Sequence, residues 1–291
     1  MSTQRTLDRT GDLCSMAELL AVARQDLGPA SGSARLETEL LLSMSTGSSR
    51  ATLLAYPERT VSVECAALFR SAIKRRAGGE PLAYITGEKE FYALQLRVSP
   101  DVLVPRADTE LLVDTALQYL LAEPHASVLD LGTGSGAIAL ALKQQCPSAQ
   151  VTAIDSDAAA LAVARDNARR LGLDVRFVAS HWFEALGDER FGLIVGNPPY
   201  VPNGDPHFAG PLKFEPSVAL DGGSDGLDAY RAIFTAARRH LTAPARLLLE
   251  HGFNQRAALL ELAVAHGFEM EQVYEDLAGT PRAAVFRATQ A

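Results

Sequence analysis

The stretch SVLDLGTGSGAIALAL, residues 127 to 142, constrains the fold more than any other part of the chain. An apolar run short enough for one strand ends on Gly132, Gly134 and Gly136, and helical spacing of apolar residues resumes at Ala137. Glycines at the carboxyl end of a buried strand, directly before a helix, let backbone approach a ligand at the crevice where doubly wound sheets bind. The rest of the chain from Asp108 onward repeats this strand and helix alternation. Helices are predicted over 108–121, 137–145, 158–171, 229–241 and 255–266. Strands are predicted over 128–131, 151–154, 175–178, 193–195, 247–250, 270–274 and 283–287. Such alternation implies an α/β architecture, a mostly parallel seven-stranded sheet of the Rossmann-like kind with helices on both faces.

Upstream the pattern differs. From Ser15 to about Ala77 apolar positions recur at helical spacing, as in SMAELLAVARQDL and ARLETELLLSM, and predict a small helical bundle. Ser15 with Glu18 fits a capping box. The run Lys74, Arg75, Arg76 is read as a solvated helix end rather than a partner site. Between Pro81 and Pro105, YITGEKEFYALQLRV reads as a hairpin or extended linker, two β-prone runs separated at Gly87. The expected organisation is therefore a helical domain over 1–80, a hairpin linker over 81–105 and an α/β domain over 106–291.

Composition narrows the function classes. The chain of 291 residues has a formal charge of -8, and the acidity is uneven. Residues 1–85 hold ten basic against nine acidic residues, and the remainder 17 against 26. An acidic chain repels phosphate backbones on average, so no direct nucleic-acid partner is expected. Cys14, Cys65 and Cys146 fit neither a disulfide framework nor a metal-ligand spacing, which suits a reducing cytoplasm. The first residues, MSTQRTLDRTGDL, have no apolar signal region, and no stretch reaches the length needed to span a bilayer, so no membrane association is expected.

Two loops carry the chemistry. The first comprises Gly132, Thr133, Gly134, Ser135 and Gly136, and the next strand ends in Asp155, placed to accept hydrogen bonds from ribose hydroxyls. These features imply a nucleoside cofactor without naming it, because Gly132, Gly134 and Ala137 also fit the dinucleotide pattern G-x-G-x-x-A. Asp130 favours S-adenosyl-L-methionine: a carboxylate can meet its cationic end, and would repel a pyrophosphate. The second loop is Asn197, Pro198, Pro199 and Tyr200, at the end of strand FGLIVG. The Asn197 side-chain oxygen and the Pro198 carbonyl could each accept one hydrogen of a substrate NH2 group, with Tyr200 stacked on its planar face. Such a grip would aim a weakly nucleophilic nitrogen at a methyl-sulfonium bond and stabilise charge developing on it.

With the glycine loop, Asp155 and NPPY in place, the sequence resembles class I amino-methyltransferases. The segments GEKEFYALQLRVSPDVLVPRADTE, SHWFEAL, FEPSVALDGGSDGLDAYRAI and LLLEHG resemble the release factor glutamine methyltransferase family, PrmC or HemK, over nearly the whole chain from about Leu36. The resemblance implies a SAM-dependent methyltransferase domain and cofactor contacts at Gly132 to Gly136, Asp155 and Trp182. It implies substrate amide contacts at Asn197 to Tyr200, with S-adenosyl-L-homocysteine as product. The implied substrate is the glutamine of the Gly-Gly-Gln loop in class I peptide chain release factors, methylated on N5, with the helical domain helping to hold the factor; the chain is expected to be a monomer. A ribosomal-protein glutamine and an adenine N6 in nucleic acid are the alternatives that the same grip would serve, and a nicotinamide-dependent oxidoreductase or a non-catalytic regulator would follow from the loop or the fold alone. Three positions depart from the family pattern: Ala107 replaces a proline, His181 an acidic residue before the tryptophan, and GTPRAAVF an acidic-Arg turn. Arg106, Asp108 and Glu110 are open between a functional and a helix-start role, and a structural role is favoured for Glu250 and His251.

Overall fold

The computed structural model describes residues 14–28 and 33–289, so the expectations for residues 1–13 lie outside the described residues. Two compact units divide at Gly87.

The first unit contains β1 (Cys14–Ser15), α1 (Met16–Leu27), α2 (Ala34–Thr46), α3 (Arg50–Ala55), β2 (Thr60–Val61), α4 (Val63–Ala77) and α5 (Leu82–Thr86). Its core is the apolar stripe of α1, α2 and α4, with Leu19, Leu41, Leu42, Phe69 and Ile73 all buried. The Ser15 capping box is present: the hydroxyl accepts from the Glu18 amide, and the Glu18 carboxylate accepts from the Ser15 amide at 2.9 Å. Glu39, inside the bundle, accepts from Arg50 at 2.7 Å and Arg35 at 3.0 Å, and the Arg50 hydrogen bond is the main reason its carboxyl sits below the ordinary range. The basic run is partly paired within the unit, Arg76 with Glu37 and Arg75 with Glu80.

The second unit begins with the hairpin β3 (Glu88–Phe91) and β4 (Leu94–Arg97), followed by α6 (Glu110–Ala122), β5 (Ser127–Leu131), α7 (Ala137–Gln145) and β6 (Gln150–Asp155). Then come α8 (Ala158–Leu171), β7 (Arg176–Ala179), β8 (Phe191–Gly196), α9 (Asp228–Ala237), β9 (Leu241–Glu250), α10 (Arg256–Ala265), β10 (Phe268–Glu275) and β11 (Pro281–Ala288). One expectation is corrected here. The run before Gly87 is not β but helix α5, because Ala83, Tyr84 and Ile85 are buried and Pro81 starts a helical turn. The hairpin instead turns at Tyr92 and Ala93, both at positive φ, and its Phe91, Leu94 and Leu96 belong to the α/β core.

The seven-stranded sheet has the order β10-β11-β9-β8-β5-β6-β7. Strands β9, β8, β5, β6 and β7 are parallel, and β11 runs antiparallel to both neighbours. Successive β5 residues feed opposite cores: Val128 packs with α6 and α7, and Leu129 with α9 and α10. A strand covered on both faces must be apolar almost throughout. The chain moves outward from β5 through β6 and β7 and then returns to place β8 on the other side of β5. The carboxyl ends of β5 and β8 therefore flank the crevice in which open sheets of this kind hold ligands. No helix among the described residues is long and apolar enough to cross a membrane.

Candidate functional site

The two loops start side by side. Leu131 pairs with Gly196 across β5 and β8, so Gly132 and Asn197 are the next residues out of adjacent parallel strands. Gly196 permits this approach, since a Cβ there would sit 3.0 Å from the Leu131 Cβ and 3.1 Å from its carbonyl oxygen. Both loops open on one cavity of ≈ 440 Å³, within the range of small-molecule sites. Gly132, Gly134, Asp155, Trp182, Asn197 and Pro199 line it. Asp130, Thr133, Ser135, Gly136, Pro198 and Tyr200 do not.

The glycine loop is held from beneath and open above. The Gly134 amide donates to Asp155 Oδ2 at 2.9 Å, and the Thr133 amide to the Ile154 carbonyl at 2.8 Å, which tie the loop to the end of β6. A Cβ at Gly132 or Gly134 would meet nothing within 4 Å, whereas one at Gly136 would press on Leu140 at 3.0 Å. The first two glycines therefore leave room for a ligand and the third lets α7 pack.

Two carboxylates flank the loop. Asp155 accepts the Asp157 amide at Oδ1 (2.9 Å) as well as that of Gly134. Burial nevertheless raises its pKa. Asp130 lies under the loop with no exposed surface: its Oδ2 accepts from the Thr133 hydroxyl at 2.6 Å and its Oδ1 has no hydrogen-bond partner. Burial pushes its pKa up to about 7, against the downward pull of Thr133 and the Ala139 amide. A buried carboxylate with one unmet oxygen beside an open glycine cradle fits a ligand that brings a cation, as the amino acid end of S-adenosyl-L-methionine does. Ile154, Leu103 and Trp182 also line the cavity and offer apolar surface to a ring. His181 also lines the cavity, its ring largely in solvent and its Nδ1 3.2 Å from Glu184.

The second loop is braced by side chains from distant segments. Asn197 Nδ2 donates to Thr109 Oγ1 at 3.2 Å, which leaves the Asn197 oxygen uncommitted. Pro198 is buried. Tyr200 packs against the core beside α9 and α10, and its carbonyl accepts from Gln255 Nε2 at 3.0 Å. Burial and then Glu250 push the Tyr200 phenol up to about 12, so it stays neutral. Of the PRADTE residues, Arg106 forms an ion pair with buried Glu215, Asp108 lies 3.3 Å from Arg282, and Glu110 accepts the Tyr92 amide at 2.9 Å. Glu215 also accepts the Val104 amide at 3.1 Å, so it joins the segment before α6 to the loop after NPPY.

Sequence reasoning passed over Thr109 and Glu215. Thr109 stands inside PRADTE, where its neighbours' charges drew attention; its role depends on β8 lying beside the start of α6, which spacing does not reveal. Glu215 in FEPSVAL was quoted only as part of a resemblance. A lone carboxylate in an apolar, proline-flanked segment is the signal that it would need a cationic partner.

Comparisons with known proteins agree with this geometry. Residues 107–209 match the family described as Methyltransferase small domain, and residues 18–87 the family described as PrmC N-terminal domain. A protein of Pseudomonas aeruginosa named release factor glutamine methyltransferase is 49% identical over 269 residues, 92% of this chain and 97% of that protein. A protein of the same name from Bordetella pertussis is 45% identical over 260 residues, 89% of this chain and 96% of that protein. Among solved structures, the ribosomal protein L11 methylase of Lactobacillus delbrueckii subsp. bulgaricus has a TM-score of 0.50 at 17% identity. The match covers 67% of this chain and 84% of that one, and is a likeness of fold.

Proposed function

The chain belongs to the release factor glutamine methyltransferase family, and from that premise we propose that it methylates N5 of the glutamine in the Gly-Gly-Gln loop of class I release factors. The observation that carries this reading is the adjacency of the two loops. Asn197 leaves β8 beside Gly132, with its amide nitrogen engaged by Thr109, and it lines the cavity that the glycine loop shares. When bound, S-adenosyl-L-methionine supplies a methyl group on a sulfonium, activated enough that no strong general base is needed.

In this reading the Asn197 oxygen and the Pro198 carbonyl each accept one hydrogen of the glutamine NH2. The nitrogen is thereby turned toward the methyl carbon. A bond from nitrogen to carbon forms as the carbon to sulfur bond breaks, the electron pair going to sulfur. The two oxygens stabilise positive charge as it appears on nitrogen, and the surplus proton leaves after transfer. Asp130 and Asp155 would hold the cofactor's ammonium and ribose, and Trp182 would cover its base. The helical unit serves as the substrate-recognition domain over about 1–80, with 81–105 joining it to the methyltransferase domain.

Incubation with a class I release factor and isotopically labelled S-adenosyl-L-methionine, followed by mass-spectrometric mapping, tests the proposal. Label on the side-chain nitrogen of that glutamine is expected. Label only on a ribosomal protein or on adenine, with the release factor unmodified, would overturn it.

A further inference from the structure

We propose that Glu250, at the carboxyl end of β9, is a positioning residue whose carboxylate fixes which way the Asn197 amide faces; this deepens the functional reading above and rests on it. Gly196 pairs with Leu249 across the parallel strands β8 and β9, so Asn197 and Glu250 leave adjacent strands at one level. Thr109, 5% exposed, is a neighbour of Asn197, and it and the Asn197 amide both act on the Glu250 carboxylate. The Thr109 oxygen accepts from Asn197 Nδ2 at 3.2 Å. Glu250 is 3% exposed, and its Oε2 has no hydrogen-bond partner.

The direction of these hydrogen bonds matters more than their strength. A hydroxyl has one proton, and a carboxylate only accepts. With Glu250 ionised, its carboxylate only accepts and so favours donors on its side: the Thr109 hydroxyl turns its proton to Glu250 and accepts from Asn197, which keeps the Asn197 nitrogen on that side and the oxygen toward the cavity. Protonated Glu250 can itself donate to Thr109, which frees the Thr109 proton for the Asn197 oxygen and removes that preference. The turned amide then becomes accessible, and in it the nitrogen would meet the substrate NH2 donor to donor.

The groups around Glu250 place this change in the neutral range. Burial pushes its carboxyl up to about 7, and Asp108 raises it further; Thr109, Arg282 on β11 and the Asn197 amide pull it down. Tyr200 and Tyr230 also face it and stay neutral, Tyr230 donating to the Glu250 carbonyl at 2.8 Å. The adjacent His251 is kept from protonating chiefly by burial.

Two readouts test the proposal. In 15N-labelled protein saturated with S-adenosyl-L-homocysteine and lacking substrate, the Asn197 side-chain NH2 signals are assigned by their loss in Asn197→Ala and followed with pH. They should shift with a midpoint near 7 and cease to titrate in Glu250→Gln. At saturating cofactor, wild-type kcat should rise through the same pH range. Glu250→Gln should lose that limb and at least ~10-fold in kcat, with melting temperature and KM little changed, and Glu250→Asp should keep the limb. Thr109→Val, which removes the relay proton, should reproduce the loss and serves if Glu250→Gln does not fold. Unchanged kcat and limb in either folded variant, or Asn197 signals that ignore pH, would overturn the proposal. Wild type inactive on release factors would refute the substrate reading, and the substrate-free titration would still decide the role of Glu250.

Discussion

The two loops that meet at the centre of the sheet are built by opposite means. After β5 the chain withdraws its side chains: Gly132 and Gly134 have positive φ and open space where a Cβ would stand. After β8 it stiffens, with two prolines and an Asn197 side chain braced by Thr109. On the function proposed above, the first loop makes room and offers charge, which would serve affinity, and the second holds acceptor oxygens still, which would serve rate.

Substitutions can break that division or sharpen it. Asn197→Ala should lower kcat by about 100- to 1,000-fold, the effect of deleting one charge-stabilising group, while calorimetry shows cofactor affinity nearly unchanged. Asp130→Asn should do the reverse, weakening the cofactor by about 10- to 100-fold through loss of a charged hydrogen bond and leaving kcat at saturation close to wild type. An Asp130→Asn variant that loses kcat and keeps affinity would dissolve the distinction.

A pH series probes the same carboxylate. Burial raises the folded pKa of Asp130 from 3.8 to about 7, so the stability it contributes is fully present below pH 3.8 and is lost as pH rises through about 7. A cationic ligand favours the ionised form. Cofactor affinity should therefore fall as pH drops below about 7, at most tenfold per unit, and the slope should vanish in Asp130→Asn. The smallest effects come from the backbones themselves. Gly134→Ala should cost about 1–2 kcal/mol, the strain of an alanine in the left-handed region, and Pro199→Ala about 1 kcal/mol or less through the freer unfolded chain, each seen as a drop of a few degrees in melting temperature. The former should weaken the cofactor and the latter should slow turnover.

The α/β half was legible because its pattern is local. Helices α7 and α8 lie over 137–145 and 158–171 as expected, and the strand cores fall within a few residues of expectation. The α5 helix was misread because YIT is β-prone and only tertiary burial makes it helical. The short pairing of Cys14 with Val61 was invisible for the same reason, since two residues of strand carry no periodicity. At the site, residues on one loop could be read from spacing. Thr109 and the relation of Glu250 to Asn197 could not, because both depend on strand order, which brings residue 197 next to 109 and 250; nor could Glu215, whose partners Val104 and Arg106 lie in a segment far away along the chain.

The sheet order has a consequence for how the protein comes into being. The walls of the cavity are collected from segments between Asp101 and Ala232, and the strand that neighbours Asn197 on its far side, with Glu250 at its end, arrives only with β9. A nascent chain cut short of Glu250 would display the glycine loop and yet lack the neighbour that organises the catalytic turn. Ligand that recognises only the finished crevice should then favour the complete molecule over its partly folded forms by mass action, so cofactor supply would bear on how much of this chain survives proteolysis.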